Sequence, residues 1–498
     1  MHSLALLAVA AAALMVFYQV FREWQRRHFP FPPGPPPYAL IGNFLDLPTK
    51  LPWLTYTKWG IQYGDLVHAS ALGQHIVVIN SVKTAAELFE KRSHIYSDRP
   101  VVTMVELMGW DFNIGLLPLG DKWRKHRRMI QQHFRQDVSR TYRPIQKKKI
   151  HLLLQGLVSS PEEFQGAQSR LAAAIIMATV YGYEVQPTND HFVALSENAM
   201  KKLSDSFFPG AVAVNTFPIL RYLPSWMPGA GFQRFAAECR QLTKEMQEVP
   251  FNFAKQNMRD GADSTSVVAR LLEADRYDEV AIQAVAATAY AGGADTTVSS
   301  LGSFFLAMAL YPEIQKKAQT EIDAVIGTLR LPEFEDRPSL PFVEAVYREV
   351  MRWRPVLPLG VAHASSEADV YNGYFIPKGT TVISNIWAMT RDESIYSGPE
   401  RFNPDRFFTA DGKLNNDDTI LAFGCGLVPH ATVWATIASV LSTFNIAKAK
   451  DATGKEIDVD PKYSDGLLSH PGPFACAITP RSETAKALVQ AATETHDL

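Results

Sequence analysis

Apolar positions cluster unevenly along this 498-residue chain. The first run, Leu4 to Phe21, reads LALLAVAAAALMVFYQVF, eighteen residues without a charge. As a helix rising roughly 1.5 Å per residue it spans about 27 Å, close to the hydrocarbon thickness of a bilayer. Two short apolar stretches, Leu66 to Ala71 and His75 to Asn80, flank Leu72-Gly73 and predict a hairpin. Ser81 then caps a predicted helix, VKTAAELFEKR. From about Asp121 to Phe342 the pattern is mostly helical, broken by loops such as FPGAVAVNTFPILRYLP. Strands return between Asp369 and Ser384, with turn signals at Asn372-Gly373 and Lys378-Gly379. The last predicted helix, Ala431 to Ile446, is apolar nearly all round and should be buried. The pattern is that of a mainly α chain with a minor β-sheet part.

The termini of the first run give it a direction. Arg22, Arg26 and Arg27 follow it at once, with Trp24 placed for the interface. Positive charge favours the cytoplasmic side, so the rest of the chain is expected in the cytosol. A cleaved signal peptide would carry its basic residues before the apolar run instead. FPFPPGPPPYALIGN, from Phe29 to Asn43, predicts a stiff, extended spacer. The expected organisation is a transmembrane anchor over 1–21, a basic and proline-rich linker over 22–43, and one domain over 44–498.

Composition narrows the field. Apolar residues are 47% and charged residues 20%, with a net charge of -2, so no nucleic-acid partner is expected. Cys239, Cys425 and Cys476 are too far apart for zinc or redox spacing. Cys239 and Cys476 read as small apolar residues. Cys425 stands apart, flanked by glycines in FGCG.

Two segments carry candidate chemistry. Asp278 to Leu310 is an almost wholly apolar stretch without proline, long enough for a helix of about 50 Å. In its middle lie Gly292, Gly293, Asp295, Thr296 and Thr297. Paired glycines predict a local widening or kink, and an acid and a hydroxyl beside it can relay protons. The alternative is a buried helix packed closely at its glycines, with hydroxyls bonded to the preceding turn. In PFVEAVYREVMRWRPVLP, Glu349 and Arg352 share a helix face, and Arg406 in PERFNPDRF can complete a triad. Alone, such a spacing is commonplace on helix surfaces.

Taken together and in order, these pieces resemble the microsomal cytochrome P-450 family. They are the anchor, Pro32-Pro-Gly-Pro35, Trp123-Arg-Lys-His-Arg127, Gly292-Gly-Ala-Asp-Thr296, Glu349-Val-Met-Arg352 and Phe402-Asn-Pro-Asp-Arg-Phe407. ELMGWDFNIGLLPLGDKWRKHRR and LRYLPSWMPGA are most similar to basidiomycete fungal members. The resemblance implies that family's mainly helical fold, haem b as cofactor, and a fungal monooxygenase of the endoplasmic reticulum membrane, single-pass and facing the cytosol. It implies dioxygen, a lipophilic small-molecule substrate of secondary metabolism (terpenoid or polyketide-like), and electrons from NADPH through a membrane reductase. By the same resemblance, Trp123 and Arg127 bind a haem propionate, and His363 in LGVAHA is either another propionate contact or a plain loop histidine. Asp295 and Thr296 match the acid–alcohol pair that relays protons for oxygen activation. Glu349, Arg352 and Arg406 match a structural triad behind the haem. Lys122, Arg124, Lys125 and Arg128 form either a docking face for the reductase or a solvated helix face. Met104, Met108, Trp110 and Phe112 line the substrate pocket or belong to the core.

One departure stands out. The family's haem loop reads FxxGxRxCxG, and its cysteine thiolate is the iron ligand. Here LAFGCGLVPH, Leu421 to His430, precedes the last helix. Aligned on Phe423-Gly424, the cysteine comes about five residues early, and Phe423 replaces the arginine. Leu427, Val428, Pro429 and His430 replace small or acidic residues. Cys425 is still the expected metal ligand. Either a few codons have been lost and a short stretch shifted in frame, or the chain is a haem-poor homologue acting as a membrane-anchored binding or scaffold protein.

Overall fold

The computed structural model describes residues 29–207, 212–262, 265–417 and 427–494. Leu4 to Phe21, Arg22 to Arg27 and Cys425 lie outside them. Among the described residues no helix is long and apolar enough to cross a membrane. The chain divides into two compact units: residues 52–100 and 362–385 with the N-terminal segment, and residues 101–361 and 386–498 with 49–51.

The smaller unit holds helix α1 (Pro52–Tyr63) and strands β1 (Leu66–Ala71), β2 (Gln74–Ile79), β3 (His363–Ala364), β4 (Asp369–Tyr371), β5 (Tyr374–Ile376) and β6 (Thr381–Ser384). The main sheet runs β1-β2-β6-β3, parallel only between β2 and β6. β4 and β5 form a separate hairpin. Both hairpins turn on two residues with positive φ, Leu72-Gly73 and Asn372-Gly373, the geometry that matches strand twist. Ser81 accepts from the Thr84 amide at 3.3 Å, as its capping role requires. The helix it starts continues as a π-helical turn over Glu87–Lys91.

The proline-rich spacer is strapped to this sheet. The Pro33 carbonyl accepts from the His68 amide at 2.8 Å and the Pro30 carbonyl from the Phe375 amide at 2.8 Å. Asn43 donates to the Pro35 carbonyl at 3.0 Å and accepts from the Ser70 amide at 3.0 Å. Proline leaves its carbonyl free while lacking a donor, so docking through carbonyls is the arrangement open to it. Phe31 stacks on His68 with ring centroids 4.6 Å apart.

The larger unit is helical: α2 (Asp121–Phe134), α3 (Arg143–Ser159), α4 (Phe164–Tyr181), α5 (His191–Ser206), α6 (Gly231–Arg259), α7 (Glu279–Leu310), α8 (Pro312–Val325), α9 (Pro341–Trp353), α10 (Leu427–Thr443) and α11 (Glu483–Glu494) are its longer helices. Its sheet is the antiparallel pair β7 (Phe444–Lys448) and β8 (Cys476–Pro480). Helix α7 runs through the core, buried on nearly all sides and capped by Asp278. α7 is unbroken α-helix through Gly292-Gly293, without the local widening expected there. Thr288, Thr296, Thr297 and Ser300 each bond the carbonyl four residues back. A Cβ on Gly293 would lie 2.5 Å from Ile176 Cδ1, so this glycine lets α7 approach α4 closely.

The last long helix is displaced from its predicted span. It begins at Leu427, four residues early, because a proline in the first turn has no intrahelical amide bond to lose. It ends at Thr443, because Phe444, Asn445 and Ile446 alternate buried, exposed, buried and pair with β8. Cys239 is buried and Cys476 half-buried.

A Cβ on Gly34 would lie 1.8 Å from the His68 carbonyl oxygen, a backbone atom that cannot swing aside. Gly34→Ala should therefore lower stability by about 1–3 kcal/mol in thermal unfolding. It should also expose the spacer to limited proteolysis, and unchanged cleavage would contradict the docking.

Candidate functional site

The expected triad assembles in the larger unit, with Glu349 and Arg352 on α9 and Arg406 in the turn Pro404–Phe407. Arg352 grips Glu349 through Nε–Oε2 at 2.7 Å and Nη2–Oε1 at 2.9 Å. Arg406 Nε reaches Oε1 at 3.2 Å, and the Asn403 amide donates to the same oxygen at 2.8 Å. Two more Arg352 N–H groups donate to the Thr390 and Pro399 carbonyls at 2.7 and 2.8 Å. All three charged side chains are buried. A buried charge cluster needs such saturation, since each unmet donor would carry its full desolvation cost.

The two residues before Glu349 hold the flanks of the cysteine loop. Arg348 Nη1 donates to the Asn415 and Asp417 carbonyls at 2.9 and 3.3 Å. Tyr347 hydrogen-bonds His430 Nδ1 in the first turns of α10. Three consecutive residues of α9 thus fix Asn403 and Arg406, the approach to the loop, and its exit. Cys425 itself lies outside the described residues, two positions before α10 begins.

Trp123 and Arg127 are one turn apart on α2, both half-buried. Lys125 pairs with Asp278, the N-cap of α7, and this contact with the Ala281 amide holds the Asp278 carboxyl below the usual range. The Ile114 amide donates to Thr288 Oγ1 at 3.4 Å. The structure thereby lays the segment carrying Trp123 and Arg127 along the first half of the helix that carries Asp295 and Thr296. On that helix Gly292 is exposed, Ala289 and Thr296 are half-buried, and a Cβ added at Gly292 would meet nothing within 4 Å. An open, small-residue strip on an otherwise buried helix fits a flat apolar ring such as haem. The donor set on α2, an indole and a guanidinium, suits the ring's carboxylates.

His363 sits in the smaller unit, on β3. Its ring packs on Phe89 with centroids 4.7 Å apart, and Nδ1 is a buried atom without a hydrogen-bond partner among the described residues. Burial, and then the Arg99 charge, depress its pKa to about 3, so it is neutral near pH 7. Arg99, overlooked in the sequence, donates to the Ala362 carbonyl beside it at 2.8 Å. Its only signal was an arginine in the polar run SDRP. His470, also overlooked, approaches Asp295 at 3.3 Å. Met104, Met108 and Trp110 are fully buried. Of the basic residues on α2, Lys122 bonds the Asp111 carbonyl and Arg124 pairs with Asp121, while Arg128 is exposed.

Glu349→Gln should cost about 3–5 kcal/mol in denaturant unfolding, since two buried guanidiniums lose their counter-charge. A loss under about 1 kcal/mol would argue that the cluster is not held by charge. The histidines make a second expectation. Burial, then the Arg337 charge, hold His430 at about 4, as burial holds His363 at about 3, against 6.5 in an exposed side chain. The unfolded chain binds these protons first. Stability should be full above about pH 6.5 and fall as pH drops toward 4, by about 1 kcal/mol per pH unit per histidine. Equilibrium unfolding at stepped pH checks this, and His430→Gln should flatten the slope.

The sequence model of the Cytochrome P-450 family matches residues 32–427. Cytochrome P-450 monooxygenase 208 of Postia placenta is 40% identical, with 99% of this chain and 98% of the relative covered. Cytochrome P-450 monooxygenase ple1 of Rhodocybe pseudopiperita is 39% identical over 98% of this chain and 97% of its own length. Cytochrome P-450 monooxygenase COX1 of Coprinopsis cinerea is 38% identical over 97% and 98%. The family match stops at Leu427, within the stretch where the haem loop departs from the family pattern.

Proposed function

Because this chain belongs to the cytochrome P-450 family of monooxygenases, we propose that it inserts one oxygen atom from dioxygen into a lipophilic small molecule of fungal secondary metabolism. Electrons come from NADPH through a membrane flavoprotein reductase, for which Arg128 and its basic neighbours on α2 offer a docking face. Residues 1–21 anchor the chain in the endoplasmic reticulum membrane, 22–43 link, and 44–498 work in the cytosol. The observation that supports this best is the bracing of both loop flanks by α9, at Arg348 and Tyr347. A chain freed from holding a cofactor would have no need of that brace.

When bound, haem supplies the oxygen-activating chemistry. The residues here would hold and orient it. Cys425 would provide the thiolate ligand. Trp123, Arg127 and His363 would donate to its carboxylates. Gly292 leaves room along α7. Asp295 and Thr296 move protons, and Glu349, Arg352 and Arg406 keep the loop's approach in place without touching substrate.

A second reading has an observation in its favour. The family match ends inside the shortened loop, and Phe423 stands in place of the loop arginine. On that reading the chain is a haem-poor, membrane-anchored binding homologue.

The reduced carbon-monoxide difference spectrum of the full chain in yeast microsomes separates the two. A thiolate-type Soret band is expected, and Cys425→Ser should abolish it. A folded, inserted protein without the band would defeat the monooxygenase reading and leave the second.

A further inference from the structure

The C-terminal loop 463–472 is fastened along one side of α7. Tyr463 Oη and Ser303 Oγ are 3.0 Å apart, and Ser299 Oγ donates to the Ser469 carbonyl at 2.5 Å. A Cβ on Gly302 would come within 2.8 Å of Pro471 Cγ, so the loop lies tight on the helix there. The Ser469 amide donates to the Val356 carbonyl at 2.9 Å. Within the loop, the His470 amide donates to Ser464 Oγ at 2.9 Å and the Ser464 amide to the His470 carbonyl at 2.8 Å. Asp295, Ser299, Gly302 and Ser303 follow helical spacing down one face. The fastening therefore carries the His470 ring onto Asp295, with Nε2 3.3 Å from Oδ1 and the two side chains 27% and 31% exposed.

Among the described residues, three titratable groups interact with Asp295. His470 comes from the loop. Glu197 comes from α5, and its carboxyl is pushed up first by desolvation and then by the Asp295 charge. Tyr290 comes from α7 itself, pushed up by burial above all. Of these groups, His470 places a nitrogen against the Asp295 carboxylate, and imidazole as a chemical class both accepts and donates a proton.

We propose that His470 is a positioning residue for the acid–alcohol pair, passing protons from solvent to Asp295; this rests on the monooxygenase reading above. In the step, the Nε2–H bond breaks and an Oδ1–H bond forms, leaving a neutral imidazole and a neutral carboxyl. Water then returns a proton to Nε2, the nitrogen left bare by the transfer. The balance is one proton carried inward, with no electron transferred.

The test uses the full chain with His470→Gln, His470→Ala and Asp295→Asn. The carbon-monoxide spectrum of His470→Gln should match wild type, which separates this idea from the question of haem loading. With reductase, NADPH and no added substrate, His470→Gln should slow dioxygen consumption roughly ten- to a hundredfold and flatten its rise toward lower pH. Added imidazole should restore His470→Ala but not Asp295→Asn. In protein labelled with nitrogen-15 histidine, the His470 Nε2 signal, identified by its loss in His470→Gln, should move in Asp295→Asn. Wild-type consumption and pH profile in His470→Gln would overturn the proposal, as would an unmoved Nε2 signal. Should the wild-type chain bind no haem, the monooxygenase reading fails and the nitrogen-15 measurement alone still decides the pair.

Discussion

The carboxylate of Glu349 lies out of water between two guanidiniums, and much of the larger unit is arranged around meeting that demand. Arg352 also donates to the Thr390 and Pro399 carbonyls, and Asn403 adds its amide to Glu349. Each bond recruits a segment with no regular structure of its own. Because an isolated buried charge is far costlier than a paired one, these segments cannot drift independently. The same helix then continues the constraint through Arg348 and Tyr347, so the approach to Cys425 and the start of α10 are referred to one rigid element.

Helix α7 shows the opposite economy. It is buried nearly all round, yet it leaves an open strip at Ala289, Gly292 and Thr296. Its hydroxyls satisfy themselves on the preceding turn, so the polar residues in its middle need no kink to survive burial. Gly292 and Gly293 look alike in sequence but do different work. One faces open space, and the other admits Ile176 of α4. Asp295, at the edge of the strip, is met by a histidine nearly two hundred residues away in the chain.

Much of this was legible before any coordinates. The hairpins at Leu72-Gly73 and Asn372-Gly373, the Ser81 cap, and the extent of α7 follow from local rules of turn chemistry, capping and periodicity. The Glu349, Arg352 and Arg406 cluster was legible through family resemblance, since an acidic residue three before an arginine says little alone. The end of α10 was not legible, because Phe444, Asn445 and Ile446 continue an apolar run and only pairing with Cys476–Pro480 makes them a strand. Arg99 and His470 were missed for a related reason: each gains meaning from a neighbour distant in sequence.

The sequence by itself determined the elements, the family and the identity of the residues offered for chemistry, because helix periodicity, caps and turns depend on neighbours within a few positions. Tertiary structure alone decided which carbonyls the proline-rich spacer would give to the sheet, which of two adjacent glycines would face a neighbour, and which histidine would stand over Asp295. Those outcomes depend on packing between segments far apart in the chain, where close approach and the demand to satisfy every buried polar group select one arrangement.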